Sequence, residues 1–286
     1  MSPAPDQPWR AGVLVVPRVA PRRGRDRRGA LAIVLCLALT AGAVRWGLVP
    51  DGGVAGALDS VRRSVDGAPP GAAVQRVHRP LPAPAVPDAG TSYAFLAGGS
   101  SAPVAWNACR PMHVVVRPDG APPGSREQIV AALAELSAAT GLQVVDDGDT
   151  DEAPAGERAG YQPARYGKQW APVLIAWSDP AQSPELAGHV AGFAGPIGYQ
   201  PAGRRERWVS GTLVLDGPQL ADRGSPSAAR GSLRTVVLHE LGHIAGLAHV
   251  DDPTQLMNPT SDPRGPTAYA DGDLHGLAVL GSQPCP

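Results

Sequence analysis

From residue 91 onward the spacing of apolar positions switches between period two and period 3.6, and each switch marks an element. MHVVVR, from Met112, reads as a strand. Residues 125–140 place Ile129, Ala132, Leu133 and Leu136 on one helical stripe, with Gly141 just past the end to stop it. LQVVDD gives a second strand. PVLIAWS, from Pro172, is almost wholly apolar and predicts a third strand, central in a sheet. HVAGFAGPIGY (189–199) is strand-like but irregular in its Gly and Pro, and WVSGTLVLD (208–216) alternates well enough to pair beside it. The polar stretches 148–170 and 217–231 read as loops, the first a solvated one. Leu233, Val237, Leu241 and Ile244 recur at helical spacing, and Asp271 or Asp273 is placed to cap a last helix through Leu280, with Gly281 to end it. Strand, helix, strand, strand, hairpin and two further helices predict one α+β domain over residues 91–286.

Upstream the periodicity fails. Residues 50–90 alternate Gly, Pro, Ala and Val and read as an exposed linker. ALAIVLCLALTAGAV, from Ala30, is uncharged, and Trp46 to Val49 extend it to residues 30–49 where Arg45 snorkels. Two readings stand: a signal peptide cut after Ala41-Gly42-Ala43, or a signal anchor retained as one span. The basic leader, residues 1–29, favours the anchor and a cytoplasmic N-terminus. Either reading puts the folded domain outside the cell membrane, held by a single pass or secreted.

Composition and charge sharpen this outline. The 32 Pro and 35 Gly among 286 residues are unevenly spread, so one folded domain is expected. The net charge of −1 hides seven Arg against Asp6 and Asp26 in residues 1–29. The remainder is therefore acidic, which argues against nucleic-acid binding. Of three cysteines, Cys36 lies in the apolar segment, whereas Cys109 and Cys285 bracket the domain. Paired, they staple its ends in an oxidising compartment; two free thiols are the alternative. The acidic residues of 148–170 lack the looped spacing of a Ca2+ site, so calcium stays unsupported.

The chemistry concentrates in HELGHIAGLAH, His239 to His249. Residues four apart share a helix face, so His239 and His243 can point two imidazole nitrogens at one Zn2+. His249 lies six residues further on, and Gly246 can take the positive φ that turns the chain and brings it round as a third ligand. Glu240 sits beside the metal without having to ligate it, placed to act as general base on zinc-activated water. Three ligands leave a fourth position open, which distinguishes a catalytic zinc from a structural one.

The pattern H-E-x-x-H-x-x-G-x-x-H, followed eight residues past the last His by Met257 in QLMNP, resembles the metzincin zinc metalloproteases with their Met-turn, and within them the matrixin branch, of bacterial type. The resemblance implies a metzincin fold: a twisted mixed sheet with two long helices, and a small C-terminal subdomain carrying the Met-turn and a last helix. It also implies that Met257 forms an apolar floor beneath the zinc, that residues 189–199 are an edge strand aligning substrate, and that residues 259–273 wall the main specificity pocket. The Pro-Arg-Cys-Gly run of matrixin propeptides is missing, and the scattered His113, His189 and His275 suggest no second zinc site. The expectation is a monomeric zinc metalloendopeptidase acting on protein or peptide substrates. Its rivals are a zinc-binding surface module without turnover and a zinc amidase acting on cell-wall peptide.

Overall fold

The computed structural model describes residues 78–285 apart from 89, 100–101, 202–203, 223–232 and 261–264. The apolar segment 30–49 lies outside the described residues, among which no helix is long and apolar enough to cross a membrane. Five strands form one sheet: β1 (Met112–Val116), β2 (Val144–Asp149), β3 (Val173–Ser178), β4 (Gly192–Tyr199) and β5 (Arg207–Asp216), in the order β2-β1-β3-β5-β4. The first four in that order run parallel, and β4 is antiparallel to β5 at the edge. β3 is buried along its whole length. Its near-continuous apolar run belongs to a central parallel strand covered on both faces.

Helices α1 (Ser125–Thr140) and α2 (Leu233–Ala245) cover one face of the sheet. Ile129, Leu133 and Leu136 of α1 join Val114, Ile175 and Leu213 of the sheet and Val237, Leu241 and Ile244 of α2 in one core. α1 ends at Gly141, which takes φ 63° and donates its N–H to Ser137 O at 2.8 Å. α3 (Asp271–Gly281) closes the domain. Gly281 ends it differently from expectation, because the following Ser282 is right-handed. Gly281 instead lies against Thr140: a Cβ there would come within 1.7 Å of Thr140 O. The requirement is close approach between α1 and α3, not a left-handed cap.

Two loop expectations need correction. Residues Gly217–Asp222 are a short helix, not loop, while 223–232 lie outside the described residues. The 148–170 connection is anchored by a buried ion pair. Arg158 is 5% and Glu152 7% exposed. The Arg158 guanidinium donates to Glu152 through Nε at 2.7 Å and Nη2 at 2.8 Å, and through Nη1 to Ser210 Oγ and Gly211 O of β5. A polar sequence reads as solvated unless its charges satisfy one another, and here they do.

At the other end of the chain, residues ahead of the sheet already lie on the domain. Arg79 Nη1 donates to Gly281 O at 2.7 Å, and His275 Nδ1 lies 2.8 Å from Pro87 O. Cys109 and Cys285 are joined by a disulfide across a separation of 176 residues, with Cα atoms 5.8 Å apart.

Candidate active site

α2 sets the first two histidines one turn apart, and its end is built to redirect the chain. Gly246 takes φ 121°, its N–H reaches Gly242 O and His243 O, and Leu247 N–H donates to Gly242 O at 2.9 Å. That pairing, six residues closing on one carbonyl, is a Schellman end. Trp106 Nε1 caps a further carbonyl, Ile244 O, at 2.7 Å. Phe95 then bridges Leu247, and Ala248 N–H donates to Ala94 O, so an isolated antiparallel bridge holds the segment leading to His249.

The result is three imidazoles facing one point. His249 Nε2 lies 3.1 Å from His239 Nε2 and 3.0 Å from His243 Nε2. The other ring nitrogens are taken: His239 Nδ1 faces Leu256 O at 2.7 Å and His243 Nδ1 faces Leu247 O at 2.8 Å. A carbonyl only accepts, so in both rings Nδ1 carries the proton and Nε2 presents its lone pair. Burial holds the rings neutral, lowering His239 to about 4 and His243 well below the ordinary imidazole range.

Neutral lone pairs aimed at one another at this distance repel unless a cation lies among them. Tetrahedral zinc–nitrogen bonds of about 2.0–2.1 Å space their ligand atoms roughly 3.3 Å apart, close to the spacing seen. The donor set therefore fits zinc, and among the described residues it is the one group of three or more such side chains able to hold a metal. Beside it, Glu240 is 6% exposed and its Oε2 is buried without a hydrogen-bond partner. Burial pushes its carboxyl up to about 8.

Met257 is 1% exposed, and Gly242 lies directly over it: a Cβ on Gly242 would meet Met257 Sδ at 2.4 Å. A glycine between the two histidines is thus what lets the methionine sit beneath the helix. The turn is held by residues whose part in the site the sequence did not reveal. Asp273 Oδ2 accepts from Leu256 N at 2.7 Å and Ala270 N at 2.9 Å, and Oδ1 accepts from Met257 N at 3.3 Å. Gln255 Oε1 returns the favour by accepting from Gly272 and Asp273 N–H at the start of α3. Since Leu256 O accepts from His239, the Asp273 carboxylate supports the His239 ring through a single residue's backbone. Tyr269, also buried, donates its hydroxyl to Leu238 O at 2.7 Å.

The edge strand runs past this centre. A Cβ on Gly192, at the start of β4, would lie 3.3 Å from Glu240 Cγ. The specificity wall falls partly outside the described residues, at 261–264. The scattered histidines stay apart from the site: His113 pairs with Asp147 between β1 and β2, and His275 stacks on Tyr93 at 4.7 Å.

A family model and a solved structure resemble parts of this chain. The matrixin family model (peptidase M10) matches residues 187–280. Among solved structures, metalloproteinase-II from Bacteroides fragilis is similar at 17% identity, over 59% of this chain and 52% of that one, with a TM-score of 0.35. The chain thus spans about half the length of that solved structure. No curated protein matches the sequence. The matched residues carry the edge strand, the three histidines, Glu240 and the Met257 turn, and over those residues the chain is similar to the matrixin family.

Proposed function

We propose that this chain is a zinc-dependent endopeptidase in which His239, His243 and His249 hold the metal and Glu240 is the general base. The observation that carries the reading is the convergence of three Nε2 atoms beside a buried carboxylate oxygen that no hydrogen bond satisfies. When bound, zinc supplies Lewis-acid polarisation of the scissile carbonyl and acidifies the attacking water.

The chain's own residues do the rest. Glu240 takes the proton as the water oxygen attacks the carbonyl carbon, then delivers it to the amide nitrogen as the C–N bond breaks, ending in its starting state. Its burial matters here, because a carboxylate stripped of water is a stronger base than one in solvent. The outward edge of β4 can pair with an extended peptide and hold its backbone beside Glu240. Leu256 O and Leu247 O keep His239 and His243 in the tautomer that ligates. The apolar segment 30–49, charged only at Arg45, fits with its basic leader export of the domain, as an anchored or a secreted enzyme.

The test is cleavage of a mixed peptide library by the full chain loaded with zinc, against Glu240→Ala prepared identically. Cuts made only by the parent are expected. Equal cutting by Glu240→Ala overturns the mechanism, and zinc binding with no cutting by either protein overturns the endopeptidase.

A further inference from the structure

The far end of the edge strand carries a patch that the reaction does not use. Tyr199, the last residue of β4, packs on Trp170 with ring centroids 4.9 Å apart, and Trp170 meets Tyr161 edge-on at 5.9 Å. All three rings are part-exposed. Trp170 and Tyr161 are also bridged through their backbones, at the foot of the connection that Arg158 and Glu152 pin to β5. The platform is therefore rigid.

Beside the rings positive charge predominates, with three arginines of one hairpin against a single carboxylate, Glu206, whose Oε1 lies over Gly198. Arg207 is the cross-strand partner of Tyr199, so the two side chains are neighbours. Arg204 and Arg205 are exposed in the same hairpin, and Arg110 lies near. Among the described residues, no carboxylate pairs with any of these four. Burial, then the charges of Arg204 and Arg110, lower the Arg207 guanidinium from its ordinary value.

The patch is continuous with the site along one edge. β4 begins beside Glu240 at Gly192 and ends at Tyr199, seven residues or about 23 Å further at strand rise. A peptide added to an edge pairs more stably antiparallel. Its residues N-terminal to the scissile bond then run towards Tyr199. The bulge between Ile197 and Gly198 makes the count approximate, at about six to eight residues.

We propose that Trp170, Tyr199 and Arg207 form an exosite that selects protein substrates with an acidic and an aromatic side chain some six to eight residues N-terminal to the cut. The rings supply stacking area, and the arginines supply the charge that an acidic side chain completes. This rests on the endopeptidase reading and adds a substrate class to it.

The experiment compares three peptides sharing one cleavage sequence, identified from the library, with the zinc-loaded full chain. One is short, one carries an N-terminal extension with Glu and Phe at the exosite distance, and one carries the same extension at its C-terminus. The N-terminal extension is expected to raise kcat/KM about tenfold, chiefly through KM. Arg207→Glu should remove that gain while still cutting the short peptide, and replacing Glu by Lys in the extension should restore it in that variant alone. Trp170→Ala tests the ring independently of charge. An equal kcat/KM for short and N-extended peptides overturns the exosite, as does a gain from the C-terminal extension or a loss in Arg207→Glu that falls equally on the short peptide. Failure to cut any of the three overturns the endopeptidase reading itself, and the exosite with it.

Discussion

The histidine helix and the connection between β2 and β3 both bury ionisable groups, and they do it in opposite ways. In the connection both buried charges are answered: Arg158 donates to both oxygens of Glu152 and to β5, while Gln162 and Tyr166 donate to Glu152 as well. At α2, three ring nitrogens face one another and Glu240 Oε2 has no partner. A closed network holds a fold together, and an open one marks a place where something must bind. The two regions teach that burial of charge alone does not find a site. The state of the hydrogen-bond account does.

The sharpest break of this contrast is at the open network. His243→Ala should lose zinc, read by metal analysis after dialysis, and peptide cleavage should fall to background. Glu240→Ala should keep the metal and lose roughly 10²–10⁴-fold in kcat, since a general base contributes on that scale. A Glu240→Ala protein that loses zinc would make the carboxylate a ligand and the contrast wrong.

The closed network should answer in stability. Arg158→Ala leaves Glu152 buried and unpaired, and should cost about 3–5 kcal/mol in urea unfolding. Replacing the pair together, as Arg158→Met with Glu152→Leu, should cost much less, because no charge is then stranded. Equal losses in the two proteins would mean that the pair is more than a structural clasp. Between the networks stands Asp273, which supports the His239 ring through Leu256. Asp273→Ala should weaken zinc binding about 10–100-fold in a chelator competition, a loss typical of groups that orient ligands.

The smallest effect is with pH. Burial works against the Glu152 carboxylate, but hydrogen bonds from Arg158, Tyr166 and Gln162 outweigh it and bring its pKa down from 4.5 to about 2. A folded pKa below the unfolded one gives stability that is complete above pH 4.5 and is lost as pH falls towards 2. Metal-free protein should therefore lose part of its unfolding free energy across that window, and Glu152→Gln should show a flatter profile.

Much of this was legible in the residues. Element order came from periodicity, since a strand buried on both faces and a helix with one apolar stripe have different signatures. The meeting of the three histidines was legible because a helix turns local spacing into three-dimensional direction, and Gly246 showed where that direction changes. Glycines of close approach were not: Gly242 over Met257 and Gly281 against Thr140 depend on elements distant in sequence. Trp106, Gln255 and Asp273 were missed as site residues for the same reason, because each meets its partner only through packing.

What the sequence by itself determined is the three-histidine stretch and the alternation of strands and helices, because both arise from interactions between residues a few positions apart. What only the tertiary structure decided is which buried charges are closed and which open. The bonds from Arg158 to Ser210 and from Asp273 to Leu256 span 52 and 17 residues, and a carboxylate has no way to announce in sequence which distant backbone will answer it.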